Sequence, residues 1–389
     1  MVDYEPMKVD FIRSYRPCPP TDPETVVEAA RLINGAERPL VLVGQGVELG
    51  DARKELLHLI EKADMLGLSA LPSDHPLNKG MLGMHGNLGP NVQTNKCDLL
   101  IAVGMRFDDR VTGNLKTYAK QAKVIHFEID PAEVNKNVKV DVAVLGNCKE
   151  TLAEVTKLVT PADHKEWIDS FKTYEELEYE KVIKPAIHPI AGPLLMGEVV
   201  RRVSDLTGNK AVLVTDVGQN QLFGCRYFKF TQGRSVLTSG GCGTMGFGLP
   251  AAVGATFGAP DRTVCMFCGD GGLQMTIQEL GTIMEQHAPV KIILLNNNFL
   301  GNVRQWQYMF FHKRYSFTPM LNPDYEKIAE GYGIPSRTVI ERADLDDAIG
   351  EMLRTDGPFL LQCAIKEEDN VLPMTPPGAD VDDMMLEIK

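Results

Sequence analysis

The stretch VCMFCGDGG at 264–272, answered further along by VKIILLNNN at 290–298, decides the fold of this chain. A hydrophobic strand, VCMF at 264–267, runs into the turn GDGG at 269–272, a helix follows, and a second strand, VKIILL at 290–295, delivers a run of asparagines. This is a βαβ unit with polar residues at the carboxyl ends of both strands, where open α/β sheets place their ligands. Gly269, Gly271 and Gly272 allow the backbone to approach a diphosphate closely, and amides at the start of the helix favour its negative charge. Asp270 and Asn297 then supply hard oxygens to a magnesium ion bridging the phosphates. GDGG by itself is a strand-to-helix turn; the second strand and its asparagines give it a chemical reading.

The same alternation extends outward in both directions. Asp22-Pro23-Glu24 offers an N-cap, a first-turn proline and an early acid, opening a helix whose Val26, Val27, Ala30 and Ile33 share a face, and Gly35 ends it. Strand-like PLVLVG (39–44), helical ARKELLHLIEKA (52–63), and strand-like DLLIAVG (98–104) and KVIHFEI (123–129) follow. After a charged, proline-bounded helical stretch comes a second unit, opening with helical LLMGEVVRRVSDL (194–206) and strand-like AVLVTD (211–216). The expected fold class is α/β, two doubly wound, mostly parallel-sheet domains. The expected division is a strap at 1–20, a middle domain at 21–160, a linker at 161–192, and a second domain with a carboxyl-terminal tail at 193–389.

A length of 389 residues suits two domains, and a net charge of −12 argues against nucleic acid as a partner. The sequence has no apolar run of membrane-spanning length and no signal-peptide pattern, so a cytoplasmic protein without a membrane partner is expected. The eight cysteines form no disulfide framework. Cys265 and Cys268, a lone CxxC, fall on opposite faces of an apolar strand and read as buried structural residues. No histidine spacing suggests zinc.

Beyond the first motif, DVGQNQ (216–221), SGGCGTMGFGLPAA (239–252) and NNNFLGNVRQWQ (296–307) together resemble the diphosphate-binding domain of acetohydroxyacid synthases, also called acetolactate synthases. MLGMHG (81–86), IAVGMRFDDRVTG (101–113) and HFEIDPAEVNKN (126–137) resemble the flavin-binding middle domain of the same family. The resemblance implies thiamine diphosphate, Mg2+ and FAD as cofactors. It implies magnesium held by Asp270, Asn297 and the Phe299 carbonyl, and a diphosphate lined by Val217, Gly218, Gln219 and Asn220, with Gly243 close by. Asn220 stands where relatives usually have histidine; its amide can still donate to a phosphate oxygen. Met245 is implied as the apolar wedge under the bent cofactor, Trp306 as the residue favouring 2-oxobutanoate, and Arg110 as the ligand of the substrate carboxylate. Around FAD the resemblance implies Gly44, Gly46, His85, Gly86, Gly104, Arg106, Asp108, Glu128 and Ile129, with Gly146-Asn147 standing where many relatives read Gly-Asp.

The family carries a further, first domain with the glutamate that activates the cofactor, and no segment of this sequence resembles it. Either this chain is part of a longer one or another polypeptide supplies the missing part. The expected activity is condensation of small 2-oxoacids in branched-chain amino-acid synthesis, by a homodimer or higher oligomer with a small regulatory subunit as a further partner. The chain alone is expected to be inactive. A pyruvate oxidase-like enzyme and a non-catalytic nucleotide-binding fragment are the alternatives. A nicotinamide dehydrogenase is disfavoured because no GxGxxG opens a helix with an acid about 20 residues on.

Overall fold

In the computed structural model, residues 18–68 and 71–388 are described; most of the expected strap at 1–20 therefore lies outside the described residues. Strands β1 (Pro39–Val43), β2 (Leu66–Leu68), β3 (Leu99–Val103), β4 (Lys123–Glu128) and β5 (Val142–Leu145) form a parallel sheet in the order β2-β1-β3-β4-β5. Strands β6 (Val212–Thr215), β7 (Val236–Leu237), β8 (Val264–Gly269), β9 (Val290–Asn296), β10 (Ser336–Val339) and β11 (Phe359–Ala364) form a second, also parallel, in the order β10-β11-β9-β8-β6-β7. Both are α/β sheets as the alternation predicts. The first sheet reverses its direction of progression between β1 and β3 and the second between β6 and β8, and the crevices at those points are where such sheets hold ligands; the second sheet turns back once more at its edge, where β11 inserts between β9 and β10.

The strands read as continuous apolar runs because both faces of each sheet are covered. Alternate residues of β8 divide accordingly: Cys265 and Phe267 enter one core with Leu213 and Ile293, whereas Met266 and Cys268 enter the other with Val214 and Ile292. The two cysteines are free, and burial pushes the Cys265 thiol up to about 12 and raises that of Cys268 well above its usual range. Neither is a thiolate at neutral pH.

The first helix, Pro23–Asn34, begins and ends as its caps predict, with Asp22 accepting from the Glu24 amide at 2.9 Å. Its buried face corrects one expectation. Val26, Ala29, Ala30 and Ile33 point inward and Val27 is 58% exposed, because 100° per residue carries position 27 away from a stripe centred on 26, 29, 30 and 33.

The charged stretch after residue 160 does more than span a gap. Helices Lys165–Asp169 and Lys172–Glu178 put Trp167 and Phe171 edge-to-face, 5.3 Å between centroids, into the core under the first sheet. The helix Lys184–Ile187 delivers Ile187 to the core of the second. Glu178, between them, is buried and ion-paired with Arg226, and its carboxylate also accepts from Leu88 N at 2.6 Å and Asn87 Nδ2 at 2.9 Å. Arg226 donates in turn to the carbonyls of His85 (3.2 Å) and Gly86 (3.0 Å).

Candidate active site

The second sheet's reversal brings three strand ends to one pocket. After β6 the chain passes through Val217 and Gly218, the latter at φ +130°, into the helix Gln219–Tyr227; after β8 it passes Gly269 into the helix Asp270–Met275; after β9 it reaches Asn297 and Phe299. Val217, Gly218, Gln219, Asn220, Met245, Gly269, Asp270, Gly271, Gly272, Asn297 and Phe299 line a single cavity. Gly243, at φ +61° on the exposed loop above, lies beside Val217, whose Cγ1 is 4.0 Å from where a Cβ on Gly243 would sit. The same test at Gly271 finds Met245 Cε at 3.5 Å, so the Met245 side chain hangs over the glycine turn.

Two residues that sequence reasoning passed over hold this pocket in shape. Asp216 is fully buried, and its carboxylate accepts from the amides of Val217 (2.8 Å), Gly246 (2.9 Å) and Gly248 (2.9 Å). It staples the loop bearing Met245 to the end of β6. Asn322 donates to Asp270 Oδ2 at 2.7 Å, and its Nδ2 lies 3.1 Å from Oδ1 of both Asn296 and Asn298. Asp216 sits in the quoted DVGQNQ but reads as a strand terminus; Asn322, distant in sequence, belongs to no spacing that could have flagged it.

Asp270 is 1% exposed, and burial raises its carboxyl above the ordinary value, opposed by the Asn322 amide and the Gly271 N–H at 3.1 Å. A buried carboxylate without a cationic partner is costly unless a cation joins it, and the oxygens around it are of the hard kind magnesium prefers. Among the described residues no three His, Cys, Asp or Glu side chains converge, which fits a site built from one carboxylate, one amide, a carbonyl and ligand phosphates rather than a protein cage. Asn220 is 3% exposed; its Nδ2 donates to Val217 O at 3.3 Å and lies 3.5 Å from where Cβ atoms on Gly218 and Gly269 would be. Its Oδ1 has no partner among the described residues. Turned over, this amide would offer N–H to an oxyanion in the same place. The residues present therefore fit a magnesium diphosphate.

Trp306 stands apart from that pocket, on the outer side of the helix Gly301–Phe310, packed edge-to-face on Phe310 at 5.4 Å. It lines a groove of about 480 Å³ with Asn302 and Val303, two residues that also border the diphosphate pocket. Arg110 is exposed and walls a third cavity, about 200 Å³, against the carboxyl-terminal residues Thr375, Pro376 and Val381. Its charge, with that of Arg226 and above all burial, depresses His85 to about 4.

Of the flavin candidates, those that follow the strands lie at the other reversal, whereas His85 and Gly86 have their carbonyls on Arg226. Gly44 and Gly46 follow β1, Gly104 follows β3, and Glu128 ends β4. A Cβ on Gly44 would fall 2.3 Å from Gly104 O and one on Gly46 2.6 Å from Gly104 Cα, so these glycines are required by backbone packing on backbone. Gly86 is similarly confined, 2.5 Å from Met81 O. Arg106 pairs with Asp108 at 3.2 Å, Asp108 caps the turn carrying Arg110 at 3.0 Å, Glu128 accepts from the Ile129 amide at 2.9 Å, and Ile129 is 44% exposed. Asn147 caps the helix Cys148–Leu158 by accepting from Lys149 N at 2.9 Å, a structural task that asparagine performs as well as aspartate.

Asp369, beside the diphosphate pocket, is buried with its carboxyl raised from 3.8 to about 6, chiefly by desolvation, while accepting from Met196 N at 2.7 Å. Above pH 6 the group is ionised in both folded and unfolded chains and the fold bears the full desolvation cost. Between pH 6 and 4 the fold takes up the proton first, and the cost is relieved. At about 1.4 kcal/mol per pKa unit, Asp369→Asn, which keeps the acceptor, is expected to stabilise by up to about 3 kcal/mol at pH 8 and by little at pH 4. Denaturant unfolding at the two pH values checks this; equal effects at both would remove the burial argument.

Residues 216–363 match the family model described as the C-terminal TPP binding domain of thiamine pyrophosphate enzymes, and residues 26–155 match the model of their central domain. Fold and site therefore define a thiamine pyrophosphate enzyme. Over 376 residues the chain is 40% identical to the acetolactate synthase isozyme 2 large subunit of Escherichia coli (strain K12), covering 94% of this chain and 67% of that protein. It is 40% identical over 399 residues to a probable acetolactate synthase large subunit of Methanococcus aeolicus (96% and 65%), and 38% identical over 396 residues to acetolactate synthase 1, chloroplastic, of Nicotiana tabacum (98% and 59%). The chain belongs to the acetolactate synthase large-subunit family, and both of its matched domains are those of thiamine pyrophosphate enzymes. It spans 59–67% of the length of these three relatives.

Proposed function

We propose that this chain provides the magnesium–diphosphate half of an acetolactate synthase active site. The complete enzyme would condense two pyruvates to 2-acetolactate, or pyruvate with 2-oxobutanoate to 2-aceto-2-hydroxybutyrate, releasing CO2 on the route to branched-chain amino acids. The observation that supports this most strongly is the single cavity uniting Asp270, Asn297 and the glycine turns at the ends of β6 and β8.

Thiamine diphosphate, when bound, supplies the carbon nucleophile for the oxoacid carbonyl and accommodates the electron pair left by CO2. Everything else falls to the protein. Asp270, Asn297 and the Phe299 carbonyl would hold magnesium, and amides at the start of the helix Gln219–Tyr227 would meet the diphosphate, with Asn220 beside them. Met245, over Gly271, would support the bend of the cofactor. Arg110 has the planar fork that suits a substrate carboxylate, and the Trp306 groove is the apolar surface for an acceptor's extra methyl group. FAD would lie along the carboxyl ends of β1, β3 and β4 in a structural role, since the condensation has no net redox change. A homodimer, a small regulatory subunit and a cytoplasmic setting complete the proposal. No helix among the described residues is long and apolar enough to cross a membrane.

No glutamate is among the residues lining the diphosphate pocket. Acid–base assistance of the kind that glutamate would give is worth about 10²–10⁴-fold. The 389-residue chain is therefore expected to form no sustained acetolactate from pyruvate, thiamine diphosphate and magnesium, and to do so once a relative's amino-terminal domain is added in trans. Acetolactate from the chain alone would contradict the division of the site. An oxidative product from the restored enzyme would favour the pyruvate oxidase-like alternative.

A further inference from the structure

Two side chains hold Gly246 from opposite sides, and neither is needed to bind magnesium or diphosphate. Asp216 follows β6, its own N–H donating to Phe267 O at 2.8 Å, and its fully buried carboxylate faces backbone amides. Oδ2 accepts from Gly246 N and Gly248 N, both at 2.9 Å, and Oδ1 accepts from Val217 N at 2.8 Å. Thr276, which closes the helix begun by Asp270, donates through Oγ1 to Gly246 O at 2.9 Å. Gly246 lies at φ +89°, and a Cβ there would meet Thr276 Cγ2 at 3.0 Å. Both polar groups of this one glycine are therefore fixed. The residues just before Met245, 240–244, are exposed, so the clamp grips the loop at the point where it enters the protein.

We propose that Asp216 and Thr276 are positioning residues. By fixing the Gly246 peptide they set where Met245 stands over Gly271, and so how well the pocket holds the thiamine portion of the cofactor as distinct from its magnesium diphosphate. The proposal rests on the reading of Met245 as the support of the bent cofactor. A methionine side chain has three rotatable bonds, so it can support a ring only from a backbone that is itself held. A carboxylate that merely closed the strand would need the adjacent Val217 amide alone, whereas Asp216 takes two further N–H groups from 30 and 32 residues away. An asparagine could not do the same, because whichever way its amide is turned the NH2 group faces backbone N–H donors. Thr276 ties the clamp to the far end of the Asp270 helix, giving the support and the metal turn a common frame.

The test is titration calorimetry of the 389-residue chain with two probes, magnesium thiamine diphosphate and magnesium pyrophosphate, the ratio of their affinities measuring what the thiamine portion contributes. The unaltered chain is expected to prefer thiamine diphosphate. Asp216→Asn should lower the ratio by about tenfold, the factor carried by one or two lost hydrogen bonds. Thr276→Val should lower it less, with pyrophosphate affinity kept within about twofold. Thr276 is half-buried, so this second variant carries the test even where Asp216→Asn does not fold. Met245→Ala should lower the ratio too, and adding Thr276→Val to it should change little more, since both act on one contact. An unchanged ratio in Thr276→Val, parallel loss of both probes in either clamp variant, or full additivity with Met245→Ala overturns the proposal. A ratio near one in the unaltered chain also overturns it while leaving the magnesium–diphosphate pocket intact, whereas binding of neither probe sinks that pocket reading and the proposal with it.

Discussion

Glu178→Ala is expected to lower the stability of the chain by about 3–5 kcal/mol, the usual cost of leaving one member of a buried ion pair without its counter-charge. Glu178 and Arg226 have side chains only 3% and 2% exposed, so neither charge faces solvent. The substitution would strand the Arg226 guanidinium among carbonyls and also orphan the Leu88 amide, which now donates to Glu178 at 2.6 Å. At roughly 2–4 °C per kcal/mol for units of this size, the apparent Tm should fall by about 6–20 °C. The double substitution Glu178→Leu/Arg226→Met should recover much of the loss, since a buried pair replaced by apolar groups of similar volume is often neutral. A fall of less than about 1 kcal/mol in the single variant would mean that this node does not hold the two sheets together. Arg226 closes the same helix whose first residue, Gln219, faces the diphosphate pocket, about 11 Å away at 1.5 Å per residue. Loosening one end therefore disturbs the other.

Asp270→Ala is expected to have the second large effect and the opposite profile, abolishing magnesium-dependent cofactor binding with the fold retained. Magnesium demands near-octahedral oxygen coordination, and a site with a single side-chain carboxylate has no substitute for it. Stability should hold or rise slightly, because the change removes a buried carboxylate whose ionisation the fold opposes. Such a variant separates ligand loss from unfolding, whereas Glu178→Ala confounds them.

How much of this could be read in advance depended on whether a property was local. The strands around Asp270 and Asn297 announce themselves because apolar runs ending in Gly, Asp and Asn are local patterns, and the pocket contains Asp270, Asn297 and the glycines of that turn; Val217, Gly218, Gln219, Asn220 and Phe299, which only the family resemblance suggested, line it too, while Gly243 sits on the loop above. Asp216 and Asn322 stayed hidden because their importance lies in what they bond across 30 and 52 residues of chain, to Gly246 and Asp270 respectively. The segment at 161–192 reads as a linker because it is charged, bounded by prolines and without the apolar runs of the flanking units; Trp167 and Phe171 are isolated in sequence, but each is large and buried. In the first domain the ligand reading of Gly44 and Gly46 came from the family resemblance, since GQG alone says little, and their crowding against Gly104 gives those glycines a packing reason of their own.

Titration calorimetry of the 389-residue chain with thiamine diphosphate, with and without magnesium, tests the central claim most directly. Saturable binding near one site per chain is expected with magnesium, and none with a chelator or in Asp270→Ala, whose unfolding transition should match that of the unaltered chain. Binding of equal affinity without magnesium, or undiminished in Asp270→Ala, would contradict the assignment of this pocket.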